Sequence, residues 1–256
     1  GGIALVGLLD GATFALGAFA SFLLSAKADV RPGGDAEEEA DVSVRAALVQ
    51  VRTRPALVAV LSIQGISMMI YGGFAVLFIV FFTDVLGSGE SEVGIIRASS
   101  ALGGLVAAAA IGSIASRVTP AKLMAGGYLL FWAVSVLFVN APSVTTALWV
   151  YLVLYGATGF PNVAAGVGIG STAQELCPPD VLGRVGGLMS TVSSFGMGLG
   201  AIVFGGLLEI TTARTLLNVE AAMFFVCAVI GYLFVVRAQP NDDADGEPKA
   251  QSASET

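Results

Sequence analysis

Residues 155–208 read YGATGFPNVAAGVGIGSTAQELCPPDVLGRVGGLMSTVSSFGMGLGAIVFGGLL. An apolar, glycine-rich run is followed by a short polar interruption carrying Gln174, Glu175, Pro178, Pro179, Asp180 and Arg184, and then by a second apolar run. A helix needs roughly 20 apolar residues, rising about 1.5 Å each, to cross a bilayer, and each run supplies that length. The stretch predicts two spanning helices that meet at one tight polar turn.

Composition extends that reading to the whole chain. Hydrophobic residues make up 55% and charged residues only 12%, against about 25% charged in soluble domains, and the mean hydropathy is +0.85. The fold class that follows is an all-α membrane protein whose partner is the lipid bilayer. Apolar runs at 8–26, 56–82, 93–116, 121–139, 145–170, 182–208 and 216–236 predict about seven transmembrane helices.

Between the first two runs lies KADVRPGGDAEEEADVS, residues 27–43, too polar and acidic to bury apolar area, which predicts a flexible linker. Residues 44–54, VRAALVQVRTR, space Arg45 and Arg52 among apolar residues ahead of Pro55. They predict a short amphipathic helix on the membrane surface, or an extension of the next span cut by proline. Residues 237–256 predict a disordered acidic tail. The domains are thus 1–26, a first span; 27–55, a linker with a short helix; 56–236, a six-helix bundle; and the tail.

Histidine is absent, which excludes Ser-His and Cys-His catalytic pairs and imidazole metal sites or proton relays. Cys177 and Cys227 are far apart in sequence, so neither a disulfide nor a thiolate metal site is expected. No enzyme activity, cofactor, metal or nucleic-acid partner is expected. Gly168 and Gly170 make no nucleotide-binding motif, since they lie inside a span with no strand before them.

The polar turn carries more specific information. Gln174-Glu175, Pro178 and Gly183-Arg184-Val185 resemble the Q-E-x-x-P-x-x-x-x-G-R-V loop between the tenth and eleventh helices of drug and siderophore exporters of the major facilitator superfamily. Asp84-Val85-Leu86-Gly87 resembles the end of that family's seventh helix, and Asp10-Gly11-Ala12-Thr13-Phe14 the opening of its sixth. Gly112, Arg117 and Lys122 are similar to its G-x-x-x-D-R loop signature, although Ser116 stands where the aspartate would be and Thr119 where a second glycine would be.

The resemblance implies helices 6 to 12 of a twelve-helix fold, with an N-terminal half of the same transporter as partner. It implies a secondary active exporter of small hydrophobic or amphipathic molecules, working by alternating access with a coupling ion, H⁺ or Na⁺, in antiport. The alternative is a non-transporting or half-size seven-helix subunit acting as an oligomer. A retinal receptor is excluded because residues 216–236 contain no lysine for a Schiff base.

Candidate substrate-cavity residues are the deep amides Gln64 and Asn162, with Met68, Tyr71, Trp132 and Phe160 around them. Either amide serves equally as glue between helices. No ionisable residue falls in the middle third of a predicted span. Asp10, Arg97 and Glu220 lie within one or two turns of outer helix ends, where side chains reach water. Arg97 with Glu220 is a candidate outer gate pair, two independently hydrated helix ends being the alternative. Candidates for the loop latch that the resemblance implies are Arg117, Lys122 and the pair Glu175 with Arg184. The dense glycines form small-residue surfaces on which helices pack closely or slide.

Charge sorting predicts orientation. With the linker in the cytoplasm, Lys27, Arg31, Arg45, Arg52, Arg54, Arg117, Lys122, Arg184, Arg237 and Lys249 fall inside, leaving Arg97 and Arg214 outside. The positive-inside rule then places the C-terminus in the cytoplasm of a multi-pass cell-membrane protein. The net charge of −7, concentrated in linker and tail, points to a high-salt interior such as that of a halophilic archaeon.

Overall fold

The computed structural model describes residues 51–87, 89–114, 117–178 and 181–238. Its elements are helical, with no strand among the described residues. In chain order they are α1 Pro55–Val80, α2 Glu90–Ile114, α3 Pro120–Asn140, α4 Leu148–Ala157, α5 Gly159–Leu176, α6 Leu182–Leu207 and α7 Ala213–Gly231. Helices α1 and α7 continue into π-helical turns, Phe81–Val85 and Tyr232–Val236, and α4 with α5 forms one span. Among the described residues, six spans are long and apolar enough to cross a membrane. The expected span at 8–26, the linker, residues 44–50 of the amphipathic segment and the tail beyond Ala238 lie outside the described residues.

Local chemistry sets the boundaries. Pro55 and Pro120 open α1 and α3, where a missing N–H costs nothing, and Thr119 Oγ1 accepts the Lys122 backbone N–H at 3.4 Å. Gly87 follows the first span with φ +63°, a left-handed value that glycine adopts without steric cost. The span expected at 145–170 runs on to Leu176, so Gln174 and Glu175 sit in its last helical turn rather than in the loop. From Gly159 onward nothing breaks that helix until Cys177, which is extended (φ −100°, ψ 130°) because it precedes a proline.

The same span is interrupted at Thr158. Pro161 has no N–H for the Ala157 carbonyl, so the ladder loses a bond there. Thr158 turns its own N–H to the Tyr155 carbonyl at 3.1 Å and donates its hydroxyl to the same oxygen at 2.6 Å.

Helix α1 packs between α6 and α7, α3 packs on α5 and α7, and α2 packs on α4 and α5. Lipid offers no hydrophobic force between spans, so close packing and interhelical hydrogen bonds must hold them. Glycine provides the first: a Cβ on Gly72 would overlap the Met197 carbonyl of α6, and one on Gly200 the Met69 carbonyl of α1. Side-chain bonds between spans provide the second. Gln64 Nε2 donates to Ser193 Oγ at 2.7 Å, Tyr71 Oη to Asn162 Oδ1 at 2.7 Å, and Asn140 Nδ2 to Asn218 Oδ1 at 2.9 Å. Each contributes roughly 0.6 kcal/mol by the measured average for membrane helices.

The spans alternate in direction. Val51, Leu57 and Leu61 share a buried cluster with Cys177 and Val185 at one end, while Leu77 to Phe82 meet Phe138, Tyr151 and Leu216 at the other. Arg54 bridges the first end, its Nη1 donating to the Leu176 carbonyl at 2.6 Å, where a cation complements the exposed C-terminus of α5.

Beside that bond, burial pushes the Cys177 thiol above its ordinary range, and the Arg54 guanidinium opposes the shift. In a Cys227→Ala background, maleimide labelling of Cys177 is therefore expected to be slow at pH 7 and to accelerate only above the free-thiol range of about 8.5. Arg54→Gln removes the opposing charge and should move that acceleration to still higher pH. A shift to lower pH would show that the guanidinium does not hold the thiol down.

Candidate functional site

Side chains three, four or seven residues apart, joined by Ser100 of α2, converge from five spans on one cavity inside the bundle. Helix α1 gives Tyr71 and Phe74; α3 gives Phe131, Ser135 and Phe138; Tyr155, Thr158 and Asn162 come from the interrupted span; and α7 gives Leu217, Glu220 and Phe224. The space measures about 120 Å³. Its walls are mostly rings: Phe131 stacks on Phe224 at 4.3 Å, Phe74 on Tyr155 at 6.1 Å, and Phe138 lies 5.7 Å from Tyr155. Tyr155 and Asn162, seven residues apart on either side of the Thr158 interruption, lie on the same wall. Asn162, exposed at the rim, holds the Tyr71 hydroxyl.

Glu220 is the charged group of this wall. It is 2% exposed, and neither carboxylate oxygen has a hydrogen-bond partner among the described residues. Gly73 leaves room for it, since a Cβ there would collide with Oε1. An ionised carboxylate in such surroundings is costly unless something neutralises it.

This placement corrects the expectation that Glu220 reaches water at an outer helix end. Helix α7 begins at Ala213, so Glu220 lies two turns in, and its face turns inward onto α1. Arg97 is exposed, with its guanidinium 5.0 Å from the Phe78 ring centroid, and it makes no hydrogen bond to Glu220 in this conformation.

Of the six residues expected at a cavity, Tyr71 and Asn162 line this one. Gln64 is engaged with Ser193, Met68 lies against Gly196 of α6, Trp132 packs on Phe225 with centroids 5.0 Å apart, and Phe160 packs on the cluster of Ala107, Ile111, Leu123 and Ala164. Glu175 lies exposed in the last turn of α5 and Arg184 exposed in the first turn of α6. Arg117 is exposed in the loop after α2, and Lys122 lines a groove with Tyr232 and Val236.

The family model described as Major Facilitator Superfamily matches residues 1–201 and 60–255. The chain belongs to the major facilitator superfamily. No curated protein matches it significantly. Members of this superfamily are membrane transporters, so the chain is a transporter chain and its cavity is a place to look for a small-molecule substrate.

Sequence reasoning missed most of this facilitator's cavity wall: Phe74, Phe131, Ser135, Phe138, Tyr155 and Thr158. A signal was present. Phe131, Ser135 and Phe138 repeat at helical spacing, as do Tyr151, Tyr155, Thr158 and Asn162, and Leu217, Glu220 and Phe224. Each set puts aromatic and polar groups together on one stripe of its helix.

Proposed function

We propose that this chain is the second half of an ion-coupled exporter of small hydrophobic or amphipathic compounds, seated in the cell membrane with its C-terminus in the cytoplasm. The observation that carries the reading is the cavity: aromatic, largely apolar and furnished with a few polar groups, it suits a molecule held by ring contacts and oriented by one or two hydrogen bonds. Alternating access supplies the cycle, the two halves rocking about the substrate while H⁺ or Na⁺ moves the other way.

Support for two rocking halves comes from the spans themselves. In Ser91–Ile114 and Leu182–Leu207 only 17% of the apolar window is buried, against 39–44% in the other four. Leu105, Val106, Phe195 and Ile202 are each at least 70% exposed there. These two helices offer the largest uncovered faces to lipid or to the other half.

Inverted membrane vesicles containing the complete protein test the reading. With an acidic lumen, or a sodium-loaded one, they are expected to accumulate radiolabelled chloramphenicol, a neutral amphipathic compound with a single ring, and nigericin or monensin respectively should abolish the uptake. Accumulation indifferent to both ion gradients would overturn the antiport, and movement only in the opposite direction would overturn export.

A further inference from the structure

Three features of the cavity narrow what it accepts. The first is charge: Glu220 is buried in the cavity wall, its carboxylate against Gly73, and has no hydrogen-bonded cation beside it among the described residues. The second is the wall, whose rings present the kind of surface that attracts cations. The neighbouring ring Phe78, 5.0 Å from Tyr155 and 5.2 Å from Phe74, already carries a cation in the Arg97 guanidinium. The third is size. At about 120 Å³ the space is close to the roughly 150 Å³ of an engineered cavity that takes benzene, so it admits a group of a few heavy atoms and excludes a large polycyclic body.

We propose that this cavity is a binding site for a small alkylammonium headgroup, with Glu220 as its counter-charge and the rings of Phe74, Phe131 and Tyr155 as its cage. The proposal rests on the transporter reading above and deepens it by naming the charge and size of what enters. A proton alone would neutralise Glu220 but would leave the aromatic volume unused. An ammonium group with methyl substituents satisfies both, since its diffuse charge is poorly hydrated and interacts with ring faces as well as with the carboxylate. The hydrogen bond from Tyr71 to Asn162 at the rim joins α1 to α5, so headgroup entry is expected to break it.

The test uses the complete transporter in lipid nanodiscs and equilibrium binding of radiolabelled tetramethylammonium. Binding is expected to be saturable, displaced by choline, and not displaced by 3,3-dimethylbutan-1-ol, the neutral molecule of choline's shape. Glu220→Gln is expected to weaken it by at least about tenfold, the loss anticipated when a buried counter-charge is removed. Absence of saturable binding, equal displacement by the neutral alcohol, or unchanged binding by Glu220→Gln would each overturn the proposal.

If Glu220→Gln does not fold, the competition on the unmodified protein decides alone. Equilibrium binding needs no ion gradient. Binding without outward transport would therefore keep this site and remove the exporter reading, and ion-driven export of neutral compounds without tetramethylammonium binding would do the reverse.

Discussion

Gly200→Leu is expected to destabilise the bundle by about 3 kcal/mol, the upper end of the range for overpacking a well-packed interior. Gly200 and Gly72 form a reciprocal contact in which each glycine faces the backbone carbonyl of the other helix, at Met69 and Met197. No rotamer change can relieve such a clash, because the obstructing atoms are main chain. The two helices would have to separate, and α1 is also the helix that brings Tyr71 and Phe74 to the cavity. Thermal unfolding in detergent, followed by the loss of monodisperse protein, reads the effect. The matched control is Gly198→Leu, two residues away, where a Cβ meets nothing within 4 Å; it should fall within about ±0.5 kcal/mol of the parent. Equal shifts for the two variants would show that the close approach is not what holds α1 to α6.

The contrast between those two glycines also marks where sequence reading stops. Span number, approximate ends and the all-helical class were legible because a bilayer imposes one length on every crossing segment, and six of the expected runs stand as spans. The small-residue surfaces were legible as a class, yet Gly198 and Gly200 read alike until the partner helix is placed.

Glu220 was legible as an ionisable residue one or two turns inside a span, but the direction it faces was misjudged. Counting turns from a helix end says how far a residue sits along the axis and nothing about which neighbour it faces. The amides were read more fully, because an amide in a membrane helix has only two inexpensive fates; Gln64 bonds to another helix, and Asn162 does so while also lining the cavity.

Glu220→Met is expected to raise stability while abolishing transport. The parent buries a carboxyl with both oxygens unpartnered, and such a group costs the fold about 1–3 kcal/mol in lost hydration. Methionine keeps the unbranched shape that fits opposite Gly73 and adapts to the surrounding rings, so the replacement recovers that cost without opening a void. The midpoint of thermal unfolding should therefore rise. Transport should fall to the level of empty vesicles, because the counter-charge for an ammonium group, or the carrier for a proton, is gone. A membrane bundle has every reason to lose a costly buried acid unless the acid is used. The two readouts separate the explanations: a fall in the midpoint would mean that Glu220 serves the fold through a partner in another conformation, such as Arg97, and a stable variant that still transports would mean that substrate and ion pass without it.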